Sequence, residues 1–387
     1  MQDYYNWQST HNNKQFAYCQ YPFILSIVAK RVILTKDSEQ QMILRARRSL
    51  AAKVARHQAP QIDIFFLNIR VRRSHLISDS LNEIATKQKD LKKKLKVSFI
   101  SEPGLDMGGL TKEWFLLLIR QIFHPDYGMF VVAQIENLQE YNLIGVLMGL
   151  AVYNSIILDL HFPTICYKKL LSPPIVPINV SSVGIIRRPT IEDLAQIMPD
   201  ISKSLTELLI YEGNVEDDLC QTFRIWQSRD ISSKRKRRKH SSDQRDREEY
   251  VELYLDWVLN KAVFEQYRAF YLGFHSVCAS NALLLLRPEE VETLVCGSPT
   301  INISELKKLR FYKTWNLFQG LLENSRLTVD RAEEKFLLFT TGSNRIPNLP
   351  EAHTCFNQLV LPEYETTDEL KQKLIISISN AEGFGLE

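Results

Sequence analysis

The order of apolar and polar residues predicts a chain of many helices and a few short strands. Apolar residues recur at helical spacing over 36–57, 79–95 and 262–276. Apolar and polar residues alternate instead over 64–71, and Val97–Ile100 reads as a second short strand. Because both patterns occur in one chain, we predict an α+β fold class.

The longest apolar run extends from Leu143 to Leu160 but is interrupted by Asn154, Ser155 and Asp159. A membrane-spanning helix needs roughly 20 apolar residues. We therefore predict a helix buried inside a large domain, and we expect no membrane partner.

A glycine-containing turn precedes another apolar helix, predicted over Thr111–Ile122 with Thr111 as its cap. Gly108 and Gly109 tolerate backbone angles that other residues resist. The turn has neither the G-x-G-x-x-G pattern nor the lysine of a phosphate loop, so we interpret it as structural.

The rest of the chain predicts shorter elements around one very polar segment, 228–249. Its centre, Lys234–Lys239, contains only lysine and arginine. Such a run is typical of a solvated loop, a nuclear import signal or a phosphate-binding patch. The remaining predicted helices are 191–197, 203–211, 247–259, 305–324, 331–338 and Thr367–Ser377, with a strand over Leu359–Leu361.

Composition narrows the class of protein. The 387 residues suffice for two or three domains, and 45% hydrophobic with 24% charged residues is typical of a globular protein. A net charge of +3 is too small to indicate a nucleic-acid partner, so that remote alternative depends on residues 234–239 alone.

The number and spacing of the cysteines indicate the cellular compartment and whether the protein has a disulfide framework or a zinc site. The six cysteines show no paired spacing and no Cys-x-x-Cys, which argues against a disulfide framework or a zinc site. The first residues are polar and aromatic rather than a signal peptide. We therefore expect a cytoplasmic protein, or a nuclear one if Lys234–Lys239 is an import signal, with no metal and no cofactor.

Cys355 is the candidate for nucleophilic chemistry. It lies between Pro350 and Pro362, in a segment too short for a regular helix. A thiolate is the best nucleophile among side chains. A lone cysteine is also commonly a small buried hydrophobe, so residue type alone leaves both interpretations open.

Several long segments, in order, resemble the HECT ubiquitin-ligase family. They extend from about Tyr21 to Glu387 and are Val97–Phe115, Phe123–Phe130, Arg287–Ser298, Phe339–Ser343, Leu349–Phe356 and Glu382–Leu386. The resemblance implies a bilobal domain with a mostly helical, larger N-terminal lobe. A small α/β C-terminal lobe would carry the catalytic cysteine.

The resemblance also implies domain boundaries. The N-terminal lobe would span 1–309 and include a subdomain binding the conjugating enzyme at about 191–287. A shortened hinge at 310–318 would lead to the C-terminal lobe at 319–387.

The implied activity is ubiquitin transfer in two steps. Cys355 would accept ubiquitin from a conjugating enzyme as a thioester, and a lysine of a protein substrate would then take it. His353 would ionise or orient the thiol, or else fix the loop by a hydrogen bond, as Thr354 would. Phe384, between two glycines, would position the thioester for the second step.

The partner groove implied by the family has an apolar floor. Here that floor would comprise Tyr271, Phe274 and the leucine run containing Leu284 and Leu286. Four consecutive leucines cannot all face one core, so we expect at least one to be exposed. The aromatic stripe of 262–276 is more typical of a core than of a binding surface.

Three departures from the family pattern leave a second function open. The region 309–318 has no hinge glycine, only Asn344–Asn348 remain where relatives have a longer stretch, and 228–249 replaces a hairpin. The alternative is a diverged module that binds a conjugating enzyme or ubiquitin without transferring it.

Overall fold

Helices make up most of the described structure. The computed structural model describes residues 1–9, 16–59, 62–102, 106, 108–124, 138–158, 160, 162–213, 244–297, 351–353, 358–360 and 371–375. Its α-helices are α1 (Gln2–Ser9), α2 (Ile27–Ala55), α3 (Leu76–Thr86), α4 (Gly109–Ile122), α5 (Leu138–Tyr153), α6 (Thr164–Leu170), α7 (Ile191–Ala195), α8 (Pro199–Ile210), α9 (Gln244–Asp256), α10 (Phe264–Val277) and α11 (Pro288–Cys296). A mostly helical protein with little sheet is what the sequence predicts.

The strands form two small sheets. β1 (Phe66–Val71) pairs in parallel with β2 (Lys94–Phe99), and β3 (Glu351–His353) pairs antiparallel with β4 (Gln358–Val360). The chain divides into two compact units, one of Met1–Glu39 with Val131–Val295 and one of Gln40–Phe130 with Cys296–Glu387.

The core of the first unit is the pair of helices α5 and α10. Every residue of α5 from Leu143 to Tyr153 is buried, as expected of a helix that is apolar all round. Glycine allows the close approach, since a Cβ on Gly145 would lie 2.0 Å from the carbonyl oxygen of Phe270. The predicted buried helix is confirmed, and no helix within the described ranges has the length and apolarity to cross a bilayer.

The second unit contains the parallel strand pair, joined through α3. The register pairs Phe66 with Lys94 and Val71 with Phe99. Alternate residues of both strands are buried, as a half-covered sheet requires. α4 is anchored nearby by Trp114, whose Nε1 donates to Ser80 Oγ at 3.0 Å.

Some predicted bounds are wrong. The helix predicted over 79–95 ends at Thr86, because residues 94–99 pair with β1 instead. The helix predicted from residue 36 begins at Ile27. Residues 371–375 are helical, inside the predicted Thr367–Ser377. The helices predicted over 305–324 and 331–338 lie outside the described residues.

Candidate functional site

The turn before α4 is held by one carboxylate. Asp106 accepts hydrogen bonds from the backbone N–H groups of Val97 and Gly108, each at 2.8 Å, and from that of Thr111 at 3.3 Å. Gly108 has φ of +116°, an angle that glycine adopts without strain. The structural interpretation of this turn is supported, but Asp106 rather than Thr111 caps the helix, and the Thr111 hydroxyl donates to Asp106.

Arg73 fastens the same region to the strands. Its Nε donates to Glu102 at 2.5 Å, its Nη1 donates to Glu113 at 2.6 Å, and its guanidinium lies 4.1 Å from the ring centroid of Phe99. Burial raises the pKa of Glu113 even though Arg73 opposes the shift. This charged cluster therefore has a structural role.

A buried ion pair holds the start of α11. Lys30 Nζ donates to both carboxylate oxygens of Glu290, at 2.8 and 2.7 Å, and Glu290 also accepts from the backbone N–H of Arg287 at 2.9 Å. Lys30 compensates the charge that Glu290 places in the interior. Glu290, the second acidic residue after Arg287-Pro288, thus fixes the helix start in the first unit.

Several short helices of the first unit share a separate apolar core. We call α6 to α9 and the π-helical turn Trp257–Lys261 the small-helix cluster. The buried residues of its core are Ile165, Ile186, Leu194, Leu205, Val251, Leu255 and Leu259. The cluster overlaps the subdomain predicted at 191–287 but begins earlier, in α6.

Lys169 joins α6 to the π-helical turn. Its Nζ donates to the carbonyl oxygen of Leu259 at 2.5 Å and lies 4.9 Å from the ring centroid of Tyr267. Burial lowers the pKa of Lys169 to about 8. Asn260, in the same turn, donates to Ile186 O at 2.9 Å and accepts from Ile186 N at 3.0 Å. These contacts fix the frame of the cluster.

Sequence reasoning missed Lys169. The available signal is its spacing, because Lys169 follows the buried Ile165 by four residues and so lies on the same face of α6. A lysine on an apolar helical face needs a buried acceptor, which the π-helical turn provides.

Of the four residues predicted to bind a partner, three are buried and one is exposed. Tyr271 and Phe274 are 0% exposed, so they belong to the core and do not form an accessible groove floor. The hydroxyl of Tyr271 donates to Pro173 O at 2.6 Å. Leu284 is 40% exposed, which meets the expectation of an exposed leucine, whereas Leu286 is 8% exposed. The predicted groove floor is therefore corrected: Phe274 is buried where α10 approaches α5, and Tyr271 is buried with its hydroxyl bonded to the segment before α7.

The region of Cys355 is bracketed by a strand pair. β3 and β4 pair Glu351 with Val360 and His353 with Gln358. Residues 354–357, which include Thr354 and Cys355, come between these paired positions and lie outside the described residues, as does Phe384. A strand ends just before Cys355 and another begins just after it.

Two described cysteines are poor nucleophiles. Burial raises the pKa of Cys166 to about 11 and that of Cys19 to about 12. Both thiols are therefore protonated at neutral pH, and a protonated thiol does not attack a thioester.

Comparison with known proteins identifies the family. The model of the HECT domain, described as a ubiquitin-transferase domain, matches residues 116–349 and 348–387. This is more than half of the chain, and the chain belongs to the HECT-domain family.

Similar proteins extend the likeness to the whole sequence. The chain is 52% identical to the probable E3 ubiquitin-protein ligase HECTD2 of Mus musculus, over 100% of the chain and 55% of that protein. It is 34% identical to the probable E3 ubiquitin-protein ligase HERC4 of Homo sapiens, over 95% of the chain and 38% of that protein. The chain spans about half the length of the HECTD2 proteins it matches.

The comparisons also mark an interruption. The two matches to the HECT model meet at residues 348–349, next to Asn344–Asn348, where the sequence predicts a missing stretch. The alignment with mouse HECTD2 runs over 429 positions, more than the 387 residues of this chain. The relative therefore has residues without a counterpart here.

Proposed function

We propose that this chain is the catalytic part of a HECT-type ubiquitin-protein ligase, with Cys355 as the residue that carries ubiquitin. The observation that supports this most is the family match over 348–387, which includes Cys355 and Phe384. The β3–β4 pair adds support, because the segment of four residues between its strands, 354–357, contains Cys355.

The reaction has two acyl transfers. The Cys355 thiolate attacks the thioester carbonyl between ubiquitin and the conjugating enzyme, and the conjugating enzyme's cysteine leaves as a thiolate. A substrate lysine amine then attacks the new thioester, loses a proton and forms an isopeptide bond as the Cys355 thiolate leaves. The first exchange is nearly neutral in energy, so catalysis lies mainly in positioning and in the thiolate fraction.

The other predicted site residues serve these steps. His353 raises the thiolate fraction of Cys355 or orients it, Thr354 supports the loop, and Phe384 positions the thioester for the second transfer. The bilobal arrangement, with an N-terminal lobe at 1–309 and a C-terminal lobe at 319–387, brings the cysteine to each partner in turn.

The small-helix cluster is the proposed docking region for the conjugating enzyme. Exposed apolar side chains on it, Ile197, Met198 and Ile210, offer contacts, and Leu284 is a further exposed apolar side chain of the same unit. Tyr271 and Phe274 act from the core, where they fix α10. The expected location is the cytoplasm, or the nucleus if Lys234–Lys239 is an import signal.

A thioester assay tests the proposal. The chain is incubated with activating enzyme, conjugating enzyme, ubiquitin and ATP, and products are separated with and without a thiol reductant. We expect a ubiquitin adduct that the reductant removes, that Cys355→Ala abolishes, and that the control Cys220→Ala retains. An adduct that persists in Cys355→Ala would refute the assignment.

The interrupted family match favours a second candidate, a module that binds the conjugating enzyme without transfer. It predicts a stable complex with the conjugating enzyme and no adduct on Cys355. The same reaction, analysed in parallel by size-exclusion chromatography, separates the two functions.

A further inference from the structure

A groove lined by cations lies in the second unit and uses none of the residues proposed for ubiquitin transfer. Its volume is about 600 Å³, within the range of ligand-binding pockets. The last turns of α2, the start of β1 and the connection between α3 and β2 form its walls. The lining cations are Lys53, Arg56, Lys87, Lys89 and Lys93.

Only some of these cations are neutralised. Lys93 pairs with Asp90 at 2.8 Å, and Lys87 pairs with Glu83 at 2.5 Å. The side chains of Lys53, Arg56 and Lys89 have no ionic or hydrogen-bond partner among the described residues. Three positive charges therefore line the groove without a directly bonded partner.

The groove also has acidic and apolar parts. Asp63 and Asp90 line it, and Ile64 and Phe66 contribute half-buried apolar side chains. Lys96 covers the Phe66 ring, with its Nζ 5.5 Å from the centroid. The lining is therefore mixed in character, and a ligand of uniform charge does not match it.

We propose that this groove binds a carboxylate-rich peptide segment of a protein partner. Glutamate or aspartate side chains pair with Lys53, Arg56 and Lys89. Intervening apolar residues lie against Ile64 and Phe66, and neutral polar residues lie against Asp63. A nucleic acid fits less well, because its regular phosphate charges would face both Asp63 and Asp90. The binding does not depend on the chemistry of Cys355.

Fluorescence anisotropy tests this surface. The probe is a short fluorescein-labelled peptide in which Glu alternates with Leu, and its counterpart has Gln in place of Glu. The test variant is Lys53→Gln/Arg56→Gln/Lys89→Gln in the full chain. The matched control, Arg45→Gln/Arg47→Gln/Arg48→Gln, removes three exposed charges from α2, the helix that contains Lys53, at positions outside the groove. Thermal unfolding confirms that both variants are folded.

We expect the Glu peptide to bind the wild type and the control alike, and the test variant at least about tenfold more weakly, which is about 1.4 kcal/mol. Added salt should weaken the binding because the charges are exposed. Equal losses in both variants, equal binding of the Gln peptide, or no binding of the Glu peptide would overturn the proposal. Tighter binding of a single-stranded oligonucleotide of equal charge would assign the groove to nucleic acid instead.

Discussion

Alanine at Gly273 should destabilise the protein although alanine is the better helix former. In an open helix, Gly→Ala gains about 1 kcal/mol. Here the new Cβ would lie 2.2 Å from Asn142 O in α5, about 1 Å inside normal contact. Relieving that overlap separates α5 from α10 and costs about 3 kcal/mol, the upper end of overpacking effects. The net expectation is a loss of about 2 kcal/mol.

Gly145 and Gly149 complete the test. A Cβ on Gly145 would lie 2.0 Å from Phe270 O, and one on Gly149 would lie 2.8 Å from Phe274 O. Urea unfolding followed by far-UV circular dichroism should therefore rank Gly149→Ala as the mildest of the three variants.

The double variant Gly145→Ala/Gly273→Ala should cost less than the sum of its parts, since one separation of the helices relieves both overlaps. A Gly273→Ala protein as stable as the wild type, or strict additivity of the two changes, would refute the reasoning.

Three further predictions concern ionisable side chains that are buried in the fold. Lys169 has a pKa of about 8 in the folded protein, against an ordinary value of 10.5. The free energy of unfolding of the wild type should therefore rise by up to about 3 kcal/mol as the pH increases from about 8 to 10.5, and Lys169→Met should lack that rise. Burial lowers the pKa of His275 from 6.5 to about 4. The wild type should therefore lose up to about 3 kcal/mol of stability as the pH falls through that interval, and His275→Gln should avoid this loss. Urea unfolding of each variant and the wild type at paired pH values checks both. Glu290→Gln should lower the stability by about 3 kcal/mol, because it leaves Lys30 buried without its countercharge. Adding Lys30→Met to this variant should restore most of the lost stability. The urea midpoints of the single and double variants test both expectations.

Sequence patterns predicted elements well where one period dominated. The run from Leu143 is apolar at every position, so a buried helix followed directly, and β1 alternates clearly. Prediction failed where two periods coincide. Leu91 and Leu95 have helical spacing after α3, yet Leu95 and Val97 alternate as β2, and pairing with β1 decides between them.

The sequence predicted which residue types form the candidate site, but not which of their side chains are exposed. Tyr271 and Phe274 form a helical stripe that suits either a groove or a core. The fold, which the sequence pattern does not reveal, buries both: Phe274 lies at the close approach of α5, and the hydroxyl of Tyr271 is bonded to Pro173 O. Asp106 was overlooked as a cap because its carboxylate reaches Thr111 from outside the helix. Cys355 was chosen by family resemblance, and its placement lies outside the described residues.

The contacts of Gly145 and Gly149 show that α5 and α10 run in the same direction. Moving forward from Gly145 to Gly149 moves the contact forward from Phe270 to Phe274 and Val277. The end of α5 and the start of α10 therefore lie at opposite ends of the pair, about 24 Å apart along the axis at 1.5 Å per residue. A shortened protein from which the small-helix cluster is excised cannot be closed by a tight turn. It needs a linker of at least about seven extended residues to return the chain to Phe264.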